Sequence, residues 1–236
     1  MQERYKKNCG SFITEEHQNV LLSKTFAVIG VGGNGSYIAE FLARQGCKKL
    51  IIIDFDSFEE SNLNRQAFCF EDNLQFNKAE QAVQYLRKIN SSIEYEWYTF
   101  PYGTQDIPSM QDCDMIFTAA DGNQYTHKYR ESLRELVKIG IPVVEQCLWD
   151  RGVEVCIIYE PSLLDMYDEN TERWEHIAHD SCDISQPAWL CSLAASLAVA
   201  EAWRYFTNYN PLIGQRLIYD VDENQLHRLV NGRFVY

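Results

Sequence analysis

No C-x-x-C pair, no internal repeat and no low-complexity linker occur in this 236-residue chain. Its eight cysteines (Cys9, Cys47, Cys69, Cys113, Cys147, Cys156, Cys182 and Cys191) are scattered along it. The start, Met1 to Lys7, is polar and charged instead of an apolar leader. Both features point to free thiols in a reducing cytoplasm. Positive charge is scarce as well. With 21 Lys and Arg against 34 Asp and Glu the net charge is −13, which argues against a general nucleic-acid binder. The acidity reads as a solvated surface that could also help select a basic partner. The longest apolar stretch, Pro187 to Ala200, is too short to cross a bilayer, and Glu201 and Arg204 follow it directly. It reads as a buried helix, and no membrane partner is expected.

What is present suffices for a core. Hydrophobic residues make up 46% of the chain and aromatics 13%, which suits one large α/β domain, with or without a small appendage. Residues 1–15 look like an arm. Phe26-Ala-Val-Ile-Gly30 reads as a short buried strand, Ser36 to Gln45 as an amphipathic helix stopped by Gly46, and Leu50-Ile-Ile-Ile53 as a second buried strand. Two uninterrupted apolar strands around one helix imply a parallel sheet covered on both faces. A loop follows from Asp56 to about Phe76. Helices are expected over 78–89, 124–138 and 187–206, and strands over 93–100, 115–118, 142–145 and 153–159. Residues 160–186 have no clear period, and 216–230 reads as a hairpin around Asp222-Glu-Asn-Gln225.

The glycines of Gly30-Val-Gly32-Gly33-Asn34-Gly35 lie between the first strand and the first long helix. They permit a tight turn and close backbone approach to phosphates, and the helix end supplies unpaired N–H groups and positive dipole. Asp54 stands 19 residues after Gly35, at the end of the next strand, where a carboxylate can accept hydrogen bonds from ribose hydroxyls. Strand, glycine turn, helix and acid together predict a Rossmann-like site for a nucleotide with an adenosine end.

The next segment separates nucleotides. Asp54-Phe-Asp56 leads to Ser61-Asn62-Leu-Asn-Arg65-Gln66 and then to Lys78. Hydride transfer has no use for this polar set directly after the ribose carboxylate. Nucleotidyl transfer does: Arg and Lys can neutralise the charge on departing pyrophosphate, while Asn and Gln orient phosphates.

On these motifs the stretch from Phe26 to Gln66 resembles the ThiF/MoeB/HesA family and the adenylation domains of ubiquitin-activating enzymes. The resemblance continues through Lys78, Ile89-Asn90 and Asp121-Gly-Asn123 to Cys182 and the helix bearing Glu201. It implies an α/β, Rossmann-like, mostly parallel sheet with helices on both faces, plus a crossover loop and a C-terminal helix and hairpin. The implied layout is an arm and helix over 1–24, an ATP-binding unit over 25–159, and 160–236 completing the same domain. It also implies site roles. Gly30, Gly32, Gly33, Asn34 and Gly35 would line the ATP phosphates, and Asp54 would hold the ribose. Asn62, Arg65 and Gln66 would contact phosphates, and Lys78 would stabilise the transition state near the α-phosphate. Asp121 would handle Mg²⁺, with Asn123 beside it.

The chain departs from the family pattern in places. Of the family's R-Y-x-R-Q start, Arg4 matches the first arginine, while Lys7 replaces the second, which loses the bidentate fork. Either residue is a candidate for contact with a partner subunit's ATP site. Without C-x-x-C pairs the family's structural zinc is not expected. Cys182, 19 residues before Glu201, falls near the cysteine that ThiF-like proteins carry in the crossover loop. It could accept an acyl group as a thioester or form an acyl-disulfide, with His179 helping to lower its pKa. The alternative is an ordinary thiol. The other cysteines read as small core residues. Trp149, Tyr159, Tyr167 and Trp174 read as core or as a clamp for an extended peptide tail.

The expected activity is therefore ATP-dependent adenylation of a C-terminal carboxylate, on a small ubiquitin-like or sulfur-carrier protein or on a peptide, by a homodimer. Two other readings stay open: an NAD-dependent dehydrogenase on the same fold, and a non-catalytic scaffold subunit of an activating-enzyme heterodimer.

Overall fold

The computed structural model describes residues 2–103, 105–120, 126–149, 152–164, 185–213, 215–230 and 233–235. Nine strands among them form one sheet: β1 (Thr25–Ile29), β2 (Lys49–Ile53), β3 (Glu94–Tyr98), β4 (Met115–Thr118), β5 (Val143–Trp149), β6 (Gly152–Ile158), β7 (Gln215–Asp220), β8 (Gln225–Val230) and β9 (Arg233–Val235). Their order is β3-β2-β1-β4-β5-β6-β7-β8-β9. The strands from β3 across to β5 run parallel, and β6 to β9 extend the sheet as antiparallel neighbours.

Strands β1 and β2 are apolar without interruption because both of their faces are covered. Phe26, Val28, Leu50 and Ile52 join one core with α2 (Gly33–Gln45), α3 (Lys78–Ile89) and α5 (Ala188–Thr207). Ala27, Ile29, Ile51 and Ile53 point the other way and pack with Leu133, Leu136 and Val137 of α4 (Thr126–Lys138). Helices therefore cover both faces of a Rossmann-like sheet, as the sequence predicts. The apolar run after Pro187 is α5, which packs directly on α2. Among the described residues no helix is long and apolar enough to cross a membrane.

Several boundaries differ from the sequence reading. Helix α2 starts at Gly33, not Ser36. Glycine is a poor helix former, so two of them hide the first turn from a periodicity reading. Helix α4 is described over Thr126–Lys138, and residues 124 and 125 of the expected helix lie outside the described residues. The loop after β2 holds two short 3-10 turns, Glu60–Asn62 and Glu71–Asn73. Residues 161–164 are helical within the stretch read as aperiodic. A further strand, β9, follows the expected hairpin. Tyr159 is 38% exposed, so it is not a core side chain, and Cys9 and Cys147 are only partly buried.

The arm is docked. Residues Glu3–Asn8 form a 3-10 helix with Tyr5 buried, ahead of α1 (Glu15–Leu22), whose first turn is closed by Thr14 and His17 as a capping box. Asn90, at the end of α3, donates to the Tyr5 hydroxyl (2.9 Å) and to the Ala43 carbonyl (3.0 Å), and it accepts from Arg4. An apolar residue at this buried position would orphan the Ala43 carbonyl and release the arm. Asn90→Leu should lower stability by about 1–3 kcal/mol in urea titration. Backbone amide exchange over residues 3–8 should rise more than in β1; uniform protection would show that Asn90 does not hold the arm.

Candidate nucleotide and acyl-transfer site

Gly30 leaves β1 with φ +84°, a conformation that side chains rarely adopt. A Cβ there would meet the Ala119 carbonyl oxygen at 2.7 Å. At Gly35 a Cβ would collide with the Gly30 carbonyl oxygen. The chain thus folds back so tightly that α2 begins within three residues of the turn. The cap of α2 is Gly32, which has no side chain to offer, so no side-chain cap hydrogen bond is made at this end. The first N–H groups and the positive end of the helix dipole stay available for an anion.

Asp54 is buried where β2 meets the turn. Its Oδ2 accepts from Val31 N (2.8 Å) and its Oδ1 from Asp56 N (2.9 Å). A carboxylate offers about four lone-pair sites, so capacity remains for hydroxyl donors. Burial pushes the Asp54 carboxyl above the ordinary aspartate range, and the nearby Lys78 ammonium and the two N–H bonds pull it back. Lys78, the first residue of α3, is itself buried and pairs with the half-exposed Asp56 at 3.3 Å. Asn77 caps α3, accepting from Glu80 N at 3.1 Å, and so fixes where Lys78 emerges.

The polar loop is pinned to α2 by Ser36, a buried residue that the sequence reading did not single out. Its hydroxyl donates to Gly33 O (3.1 Å) and accepts from Ala67 N (3.0 Å). That hook holds Arg65 and Gln66 against the glycine turn: a Cβ at Gly33 would lie 3.6 Å from Arg65 Nε, and one at Gly32 would lie 3.7 Å from Gln66 Nε2. The Arg65 guanidinium is held by neutral acceptors, Ser61 O (2.8 Å), Asn64 Oδ1 (2.9 Å) and Gln186 Oε1 (3.0 Å). No carboxylate pairs with it among the described residues. Gln66 is buried, and its Oε1 has no hydrogen-bond partner. Asn62 is engaged inside its own turn, accepting from Glu59 N at 3.1 Å.

Three more groups meet at the turn: Asn34 of α2, Gln146 of β5 and Cys191 of α5. Asn34 Nδ2 donates to Gln146 Oε1 (2.6 Å), and Gln146 Nε2 donates to Thr118 O (3.1 Å). The Cys191 thiol, in the first turn of α5, comes close enough that a Cβ at Gly33 would lie 2.9 Å from its sulfur. Neither Gln146 nor Cys191 carried a signal in sequence beyond a strand glutamine and a helix cysteine, since only the fold brings them to the glycine turn.

The structure thus gathers Gly30, Gly32, Gly33, Asn34, Gly35, Asp54, Arg65, Gln66 and Lys78 around the end of α2, with Asn62 in the adjoining turn. Arg4 is not among them. It bonds Asn90 at the far end of α3, and Lys7 is exposed on the same arm. Asp121, Asn123, His179 and Cys182 lie outside the described residues. Among the described residues no group of three or more His, Cys, Asp or Glu side chains is placed to hold a metal ion.

Two outcomes follow from this geometry. Gly35→Ala should destabilise the fold by several kcal/mol, because the clash is with backbone. Loss of less than about 1 kcal/mol in urea titration would mean that the turn opens easily. Asp54→Asn probes burial of charge. The folded pKa is raised, so the folded wild type binds more protons, and Asp54's contribution is lost as pH rises from the ordinary aspartate value through the folded one. Asp54→Asn lacks that loss, so its melting temperature relative to wild type should rise from about pH 4 towards neutrality. A flat difference would place an unstrained carboxylate at this position.

The ThiF family model matches residues 5–233 of the chain. Ubiquitin-like modifier-activating enzyme 5 of Caenorhabditis elegans is 38% identical over 94 residues, 40% of this chain and 22% of that protein. Adenylyltransferase and sulfurtransferase MOCS3 of Xenopus laevis is 35% identical over 95 residues, 40% of this chain and 21% of that one. The matched segments are therefore about a fifth of the length of these curated relatives. Among solved structures, E. coli MccB with AMPCPP and MccA shares the fold at TM-score 0.76 and 21% identity, covering 98% of this chain and 72% of that one. PaaA does so at TM-score 0.74 and 21% identity, covering 96% and 78%. Matched by the family model from its N-terminal arm to its last described strand, the chain belongs to the ThiF family.

Proposed function

We propose that this protein binds ATP at the glycine turn and transfers AMP onto a C-terminal carboxylate, that of a ubiquitin-like or sulfur-carrier protein or of a peptide, releasing pyrophosphate. The observation that carries this reading is Arg65, a cation with no carboxylate partner among the described residues, set beside Gly33 at an uncapped helix end. Such a site is built for phosphate, not for a neutral ligand. Family membership supports the reading. So do the relatives, which include activating enzymes for ubiquitin-like modifiers and an adenylyltransferase, and MccB, solved with an ATP analogue.

The residues suit the task. Gly30 to Gly35 leave room for phosphate oxygens against the α2 N–H groups. Asp54 accepts from ribose hydroxyls through its spare lone pairs. Arg65 and Lys78 face the charge that builds on the leaving pyrophosphate as a carboxylate oxygen attacks the α-phosphorus, and fixed cations there need no reorganisation. The unpartnered Gln66 Oε1 gains a donor when ligand or ordered water arrives. Magnesium would arrive with the nucleotide and be held by Asp121, screening phosphate charge. Cys182 is a candidate acceptor for the activated acyl group, and Arg4 or Lys7 is a candidate to reach a second subunit of a homodimer.

Exchange of radiolabelled pyrophosphate into ATP reads the chemical step. Lys78→Ala and Arg65→Ala should each lower carboxylate-dependent exchange about 10²–10³-fold, with circular dichroism unchanged. Wild-type rates in both variants would show that these cations do not serve the reaction, and a non-catalytic role would then hold.

A further inference from the structure

We infer that Asn34 gives this site its selectivity for the acyl substrate: its side-chain oxygen accepts the N–H on the carbon that bears the reacting carboxylate, and Gln146 is the residue that positions it. The inference rests on the adenylation reading above and deepens it, because it assigns recognition of the substrate's last amide N–H to one residue and the positioning of that residue to another.

Hydrogen-bond logic fixes which end of each carboxamide is which. The Thr118 carbonyl can only accept, so the Gln146 atom 3.1 Å from it must be the NH₂ group. The other Gln146 atom is then an acceptor, so the Asn34 atom 2.6 Å from it is also NH₂. What is left is Asn34 Oδ1, buried and without a hydrogen-bond partner. A buried acceptor in that condition costs free energy until a donor reaches it.

The donor is not the nucleotide. A triphosphate at neutral pH offers acceptors only. The ribose hydroxyls of a nucleotide belong with Asp54, which leaves β2 on one side of β1, whereas Gln146 lies on β5, two strands away on the other side; the remaining donor, the adenine amino group, is separated from the phosphates by the ribose and so from the first turn of α2. By elimination the donor is assigned to the second reactant, the group attacking the α-phosphorus. A carboxylate is itself acceptor-only, so the nearest donor it can bring is the N–H on its own α-carbon. Asn34 still presents its backbone N–H to phosphate from the first turn of α2. The side chain and the main chain thus address different parts of the reacting pair.

The test uses random hexapeptides with free C-termini, and a matched library in which the last peptide bond is an ester and so lacks the N–H. With Mg·ATP and radiolabelled pyrophosphate, the wild type should exchange about tenfold faster with the amide library, the value of one hydrogen bond. Asn34→Leu and Gln146→Leu should both bring the amide-to-ester ratio close to one, which loss of packing alone would not do. ATP affinity of Asn34→Leu is read in parallel by intrinsic fluorescence. Equal wild-type rates with the two libraries, or a ratio that survives Asn34→Leu, would overturn the assignment. So would a tenfold loss of ATP affinity, which would place the side chain on phosphate, or a crystallographic water filling the Asn34 Oδ1 position in an ATP–peptide complex. A wild type that binds ATP but exchanges with neither library would instead count against adenylation itself.

Discussion

The site depends on one close approach of backbone to backbone. Gly30, Gly35 and Ala119 meet where no side chain fits at either glycine. Because of that contact β1 passes into α2 without a spacer, and the positive end of α2 is aimed over the junction between β1 and β4. Ser36, one residue beyond Gly35, then captures Ala67 N and drags the polar loop across the same helix end. Arg65 and Gln66 owe their places to that hydroxyl, and Lys78 owes its place to the Asn77 cap. The cations, the glycines and the Asp54 carboxylate come from separate segments of the sequence, yet each is located relative to the first turn of α2.

Much of this was legible in sequence, for identifiable reasons. Strands β1 and β2 are short, apolar throughout and followed by residues of fixed chemistry, so period, turn and acid agreed. Lys78 was legible because a capped, strongly amphipathic helix begins with it. Less could be read where the signal belongs to three dimensions. The start of α2 was hidden by the glycines that make it useful. Ser36 looks like any helix serine until Ala67 is beside it. Gln146 looks like a strand residue until β4 and β5 pair in the register that sets Thr118 opposite Glu145. The docking of the arm was not legible because 3-10 turns have no long period, and its anchor, Asn90, lies 85 residues from Tyr5.

The two sides of the sheet handle buried charge differently. On the α4 side Glu145 pairs with Arg130 and Glu154 with Arg216, and both carboxylates are buried. Paired charges there tie β5, β6, β7 and α4 together without leaving a net field. Such pairs contribute little net stability but are costly to break singly. At the glycine turn the charges are left incompletely matched: Asp54 is desolvated, Lys78 leans on a half-exposed Asp56, and Arg65 rests on neutral oxygens. Charge at the glycine turn is therefore incompletely cancelled within the fold, and the nucleotide proposed above would complement it. Binding can draw on that incomplete cancellation because the groups are already desolvated and fixed.

The overall charge of −13 looks hostile to a triphosphate, but distance decides the matter. At physiological ionic strength charges more than about 8 Å apart across solvent are largely screened. The acidic surface therefore acts mainly on the approach of ligands and partners. Within the site the relevant separations are those of hydrogen bonds, and the surroundings are partly dry. There a guanidinium, an ammonium and a helix end outweigh the remote carboxylates. A long-range field that disfavours stray polyanions and a short-range field that favours phosphate can coexist in one molecule, provided the cations are few, fixed and close to the glycine turn, which is how Arg65 and Lys78 are arranged.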